Sequence, residues 1–142
     1  MRNSMAFSTI LDTLIVACVL GLVSVVASEG SARNAPKAKL IMLTPDVKDY
    51  MKVLGGPPET VTMRSGLVVL APGKSVGTHN TDTYEEVLVV LQGEGKMLIT
   101  DGPSFDLKPG AIAYCPPRTE HNVTNTRSGQ LRYLYIVAKA EK

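Results

Sequence analysis

Residues 72–95 read PGKSVGTHNTDTYEEVLVVLQGEG, and residues 109–125 read PGAIAYCPPRTEHNVTN. The first is framed by glycines and the second runs from Gly110 to Asn125, and each supplies one of the chain's 2 histidines, His79 and His121. The first also supplies the acidic pair Glu85–Glu86. Two imidazoles and a carboxylate are the donor set of a mid-hardness divalent metal, and three such groups leave positions open for water or substrate. The set becomes a site only if the fold brings the two stretches together. Otherwise they are two ordinary β-hairpins.

Turn chemistry surrounds both stretches. Pro72-Gly73, Gly93-Glu94-Gly95, Asp101-Gly102-Pro103, Pro109-Gly110, Pro116-Pro117 and Ser128-Gly129 each carry residues suited to a turn. Between them lie short apolar runs with strand character. The expected strands are 60–63, 66–71, 86–92, 96–100, 104–107, 111–114, 120–125 and 130–138. In the last of these Leu131, Tyr133, Tyr135 and Val137 alternate with Arg132, Leu134 and Ile136. Both sets are mainly apolar, so one face can cover a barrel core while the other meets a second subunit. Pro45-Asp46 is suited to cap a short helix over 46–54, where Val47, Tyr50, Met51 and Leu54 keep helical spacing. Evenly spaced short strands with such punctuation point to an all-β sandwich or barrel.

The spacing within the two stretches resembles the cupin superfamily. In the first cupin motif a Gly is followed after five residues by His-x-His, then by Glu, then after six residues by Gly. The chain has Gly73, His79, Thr81, Glu86 and Gly93 at those places. In the second motif a Gly is followed after five residues by Pro-x-Gly, then by His, then by Asn. Gly110, Pro116, Arg118, His121 and Asn125 stand there. The resemblance implies a single jelly-roll barrel (a double-stranded β-helix) in a domain over residues 39–142, the short helix falling near the start of that domain. It also implies one divalent ion, of Fe, Mn, Ni, Zn or Cu, held by His79, Glu86 and His121. Two positions depart from the pattern. Thr81 replaces a histidine ligand and is left as a weak oxygen ligand or water anchor. Arg118 replaces a glycine, a mild change where φ stays negative.

Glu85 and Glu86 cannot both point inward from a regular strand. Glu86 keeps the six-residue spacing to Gly93, so Glu86 is expected inward and Glu85 outward, beside the site. Tyr84, Tyr114 and Arg118 are candidate pocket residues. Tyr133 is expected in the core or the pocket wall, and Cys115 as a half-buried strand thiol. An open metal site can polarise a carboxylate or carbonyl, activate water, or bind dioxygen beside a chelating substrate. The resemblance therefore implies a metal-dependent enzyme on a small organic molecule, dioxygenase-like or a decarboxylase, isomerase or lyase. A non-catalytic module binding a small molecule or metal is the alternative, and the missing histidine favours it.

The 142 residues are enough for one domain with a real core. Charged residues are 20% of the chain, the formal net charge is +2, and the basic residues are scattered, so a dedicated nucleic-acid binder is not expected. Arg2 precedes an apolar run, Thr13–Ala27 (TLIVACVLGLVSVVA), that ends in small residues. This pattern fits a secretory signal over residues 1–27, with export to the periplasm or exterior and no membrane attachment after cleavage. An uncleaved anchor is the alternative. Ile15-Val16-Ala17-Cys18 has the look of a lipobox, but the apolar run continues well past Cys18. Residues 28–38 (SEGSARNAPKA) are small and polar, as in a linker. A homodimer is expected from the two-sided final strand.

Overall fold

The computed structural model describes residues 35–140. The apolar run Thr13–Ala27, Cys18 and most of the expected linker lie outside the described residues. Eight strands are formed: β1 (Tyr50–Gly55), β2 (Arg64–Leu70), β3 (Tyr84–Gln92), β4 (Gly95–Ile99), β5 (Ser104–Leu107), β6 (Ile112–Cys115), β7 (His121–Asn125) and β8 (Leu131–Lys139). They form two antiparallel sheets, one of five strands in the order β1-β2-β8-β3-β6 and one of three in the order β5-β4-β7. The all-β expectation holds, and seven of the eight strands fall on runs read as strand.

Period-2 alternation decides which face closes the core. Leu70 on β2, Leu88 and Val90 on β3, Met97 on β4, Ala113 and Cys115 on β6, Val123 on β7, and Leu131 and Tyr133 on β8 meet in one buried cluster. The segment before β3 joins the smaller sheet. Ser75 and His79 form isolated bridges with Thr124 and His121. Backbone hydrogen bonds from Gly73 to Asn125, Asn125 to Lys74 and Val76 to Val123 complete this pairing, so residues 73–79 run alongside β7.

Two expectations are corrected. The helix over 46–54 is instead β1, paired to β2 with Met51 opposite Leu67 and Tyr50 opposite Val68. The open edge of β2 offers backbone partners along its whole length, and that pairing outweighs a helical spacing of four residues. The strand expected over 60–63 is absent. Thr60 takes a backbone hydrogen bond back to Gly56 and its hydroxyl donates to the Met63 carbonyl, a turn that delays β2 to Arg64.

The second face of β8 is occupied in part by the chain's own N-terminal segment. The Arg132 guanidinium donates to the carbonyls of Thr44 (3.0 Å), Pro45 (3.0 Å) and Val47 (3.2 Å). This ties residues 44–47 across the face that holds Val69, the partner of Arg132 on β2. Further along the sheet Ile112 and Tyr114 of β6 and Leu91 of β3 are exposed.

Candidate metal centre

His79 and His121 are brought together by the backbone. Each donates its N–H to the other's carbonyl, at 3.0 and 2.9 Å, so the pair stands directly opposite across the 73–79 segment and β7. Side chains of such a pair share one face, and the two imidazole ring centres lie 4.3 Å apart. Glu86 comes from the other sheet. It faces inward from β3, 5% exposed, while Glu85 points outward and accepts a 3.1 Å hydrogen bond from the Tyr114 hydroxyl. Glu86 Oε2 lies 3.0 Å from His121 Nε2 and 4.0 Å from His79 Nε2. His121 is fully buried, and His79 stands at the solvent side with its side chain 41% exposed.

The hydrogen bonds behind the rings fix their chemistry. His79 Nδ1 is 3.0 Å from the Gly77 carbonyl, and His121 Nδ1 is 3.1 Å from the Thr119 carbonyl. A carbonyl can only accept, so both Nδ1 atoms carry the hydrogen and both Nε2 lone pairs face Glu86. Three electron-rich atoms thus converge, with nothing donated between them unless a proton or a cation sits there. For His121, burial works against the charged form, but the bonds to Glu86 and to the Thr119 carbonyl outweigh burial and raise its pKa above the ordinary imidazole value.

A metal fits the same arrangement. Ligand atoms about 2.0–2.2 Å from a shared ion stand about 3.0–3.5 Å from one another. The three donor atoms here all lie within 4.8 Å of each other, and one pair is already at 3.0 Å. The Nδ1–carbonyl bonds are of the kind that orients histidine ligands. Cys115 lies behind the buried histidine, its Sγ 3.2 Å from His121 Nδ1. It is fully buried, and that burial pushes its thiol up to about 11, with the Glu86 charge a lesser cause. Cys115 is therefore a packing neighbour of the site and not a thiolate donor at neutral pH.

Thr81 lines the cavity at the place where the motif has its second histidine. Its hydroxyl donates to the Tyr84 carbonyl at 2.8 Å, and the Tyr84 N–H bonds back to the Thr81 carbonyl. Its visible work is to close the turn that delivers β3. Arg118 adopts φ +57°, contrary to the negative φ expected of it. Its N–H donates to the Asp82 carbonyl at 2.7 Å and locks the 116–118 turn against the 80–83 loop. That contact holds the left-handed conformation despite a strain of about 1–2 kcal/mol for a residue with a Cβ.

Beside the three donors lies a cavity of about 310 Å³, lined by the donors together with Arg64, Val68, Val76, Thr81, Val123, Tyr133, Tyr135 and Val137. Tyr84, Tyr114 and Arg118, read as pocket residues, are not in this lining. Tyr84 lies under the Arg64 guanidinium, 4.5 Å from ring centre to carbon, and Tyr114 is exposed on the outer face of β6. Arg64 and Tyr135 went unread as site residues. The signal for Arg64 was its parity with Val68 on β2, which was hidden because the strand was expected to start two residues later.

The cupin domain family model matches residues 66–137. The chain belongs to the cupin family. This cupin is 29% identical over 68 residues to the oxalate-binding protein of Thermotoga maritima, covering 48% of this chain and 55% of that one. It is 32% identical over 66 residues to the uncharacterized protein MJ1618 of Methanocaldococcus jannaschii, covering 46% of this chain and 52% of that one. The chain thus spans about half the length of the curated relatives it matches. A Cupin 2 conserved barrel domain protein from Salinispora arenicola superposes with a TM-score of 0.60 at 21% identity, over 73% of this chain and 92% of that one. This last likeness shows the fold.

Proposed function

We propose that this protein is a metal-dependent cupin that holds one divalent ion, of Fe, Mn, Ni, Zn or Cu, through His79, Glu86 and His121. We further propose that it acts on a small organic molecule in the adjoining cavity. The observation that carries the reading is the convergence of two Nε2 lone pairs and a buried carboxylate oxygen on one point at the cavity wall. When bound, the ion would supply Lewis acidity toward an oxygen of the substrate.

The chain's own residues do the rest. Gly77 and Thr119 carbonyls hold the two imidazoles in the tautomer that presents Nε2. Burial raises the Tyr133 and Tyr135 hydroxyls above the usual phenol range, so both stay protonated, and that of Tyr135 is shared with the Tyr50 hydroxyl at 3.1 Å. Valines at 68, 76, 123 and 137 supply the apolar part of the lining. A dioxygenase-like, decarboxylase, isomerase or lyase reaction is compatible with this lining.

A second reading, a non-catalytic binding module, is favoured by the similarity to a protein named for binding oxalate. One experiment separates the two. The protein is loaded with each ion in turn and incubated with a panel of small organic acids, and substrate loss is followed by mass spectrometry beside calorimetric binding. Turnover with any pair supports the enzyme. Saturable binding without turnover across the panel assigns the module.

We also propose export, supported by the basic start and the apolar run Thr13–Ala27. A homodimer is supported by the exposed apolar side chains Leu91, Ile112 and Tyr114 on one sheet face.

A further inference from the structure

The cavity has two polar ends and an apolar waist. In the five-stranded sheet Arg64 and Glu86 both pair with Val137, one from each side. They therefore occupy the same cross-strand row, with backbones about 10 Å apart across two strand spacings. Glu86 marks the metal end, and Arg64 marks the mouth. Val137 stands between them on β8, and Val68 and Val123 line the same space.

In the lining the Tyr135 hydroxyl is paired with that of Tyr50 at 3.1 Å and the Thr81 hydroxyl with the Tyr84 carbonyl, which leaves Arg64 and Tyr133. Among the described residues Arg64 has no carboxylate partner, and its guanidinium rests only on the face of Tyr84. Tyr133 is 3% exposed and lines the cavity, yet its hydroxyl has no hydrogen-bond partner among the described residues. Among the described residues only Asn122 Oδ1 is a fully buried side-chain polar atom without a partner, so the Tyr133 hydroxyl is open to the cavity, where a ligand oxygen can reach it. Burial, and to a lesser degree the Glu86 charge, keep this hydroxyl protonated as a donor. A bound divalent ion would outweigh the single charge of Glu86, and Arg64 adds a further positive charge. The lining then favours an anion.

We propose that the cavity recognises a linear organic acid by both ends. Arg64 pairs with a carboxylate at the mouth, the valine waist takes the carbon chain, and the Tyr133 hydroxyl donates to an oxygen at the metal end. The space of about 310 Å³ equals about ten waters, which leaves room for a ligand of up to about that number of heavy atoms and so for acids longer than oxalate. The proposal rests on the metal reading only for the partner of the second oxygen; the Arg64 end stands without it.

The test uses adipate, a linear dicarboxylate of about this size, against oxalate and the neutral 1,6-hexanediol. Metal content of the full-length protein is measured first, and each compound is then titrated calorimetrically into the Zn-loaded and metal-free forms. Adipate should bind, and hexanediol should bind at least about tenfold more weakly. Arg64→Gln should weaken adipate about tenfold or more, as loss of a hydrogen bond to a charged group does, with metal content unchanged. Arg64→Lys should restore part of the loss, and Tyr133→Phe should weaken adipate while leaving the fold intact by circular dichroism. Oxalate should not respond to Arg64→Gln. Equal adipate affinity in wild type and Arg64→Gln, or no adipate binding to wild type, overturns the proposal. If the wild type holds no metal, the metal reading fails. The adipate difference between wild type and Arg64→Gln in the metal-free form then decides the carboxylate end alone.

Discussion

Asn125 closes the second motif, and its replacement tests whether that asparagine is structural. It is 1% exposed, and its Nδ2 donates to the carbonyls of Leu70 (2.9 Å) and Gly129 (2.7 Å). Its Oδ1 accepts from the Arg127 N–H at 3.0 Å. One side chain thereby joins the end of β2, the 125–130 turn and β7. Asn125→Ala removes three hydrogen bonds, each contributing about 1 kcal/mol, and leaves buried partners unsatisfied. The expected cost is about 3–4 kcal/mol, a large share of the about 5–15 kcal/mol of a typical domain. In urea, with a slope of about 1.5 kcal/mol per molar, the midpoint should fall by about 2 M. Asn122 is the control on the same strand. Its Oδ1 is buried without a partner, so Asn122→Ala should cost less than about 1 kcal/mol. Equilibrium urea unfolding of the full-length protein measures both. An Asn125→Ala midpoint within error of wild type, or an Asn122→Ala loss of equal size, would refute the reasoning.

Three more outcomes follow from the site. In metal-free protein the folded pKa of His121 is raised, so its charged bond to Glu86 stabilises fully below the unfolded value of about 6.5 and is lost as pH rises through the folded value. Urea melts should therefore show metal-free stability falling across that window, and metal affinity rising as the proton is displaced; metal-free stability that climbs there would contradict the pairing. Cys115, buried and with its thiol pushed up to about 11, should resist iodoacetamide at pH 8 in the native protein and react readily in urea. Rapid native labelling would show the site to be open. A Cβ at Gly66 would stand 2.6 Å from a Tyr50 ring carbon and 2.8 Å from a Tyr135 ring carbon. Gly66→Ala should cost about 1–3 kcal/mol by overpacking and weaken adipate in the calorimeter, whereas unchanged binding would separate the Tyr135 ring from the cavity shape.

The donor set was legible because motif spacing and strand parity agree. Glu86 rather than Glu85 faces inward because alternate residues on β3 face opposite sides, and the six residues to Gly93 fix the phase. The pairing of His79 with His121 was implied by resemblance but not by local sequence, since residues 73–79 carry little strand character of their own. They pair because β7 has a free edge there. The same cause explains the error at residues 46–54, where the edge of β2 captures a segment whose apolar spacing suits a helix equally well. Arg64 and Tyr135 were missed because a cavity wall is set by which strands become neighbours, and β2-β8-β3 adjacency is a long-range outcome. Tyr84 and Tyr114 stand outside the cavity lining because proximity in sequence to the motif does not fix the face on which a ring stands.

Metal stoichiometry tests the central claim most directly. The full-length protein is stripped with chelator, reloaded separately with Fe, Mn, Ni, Zn and Cu, desalted, and assayed by elemental analysis beside His79→Ala, Glu86→Gln and His121→Ala. The account predicts about one equivalent of at least one ion in the wild type and a loss of about tenfold or more in affinity in each variant, as expected when one of three ligands is removed. Absence of stoichiometric metal in the wild type with all five ions, or undiminished metal in His121→Ala, would contradict it.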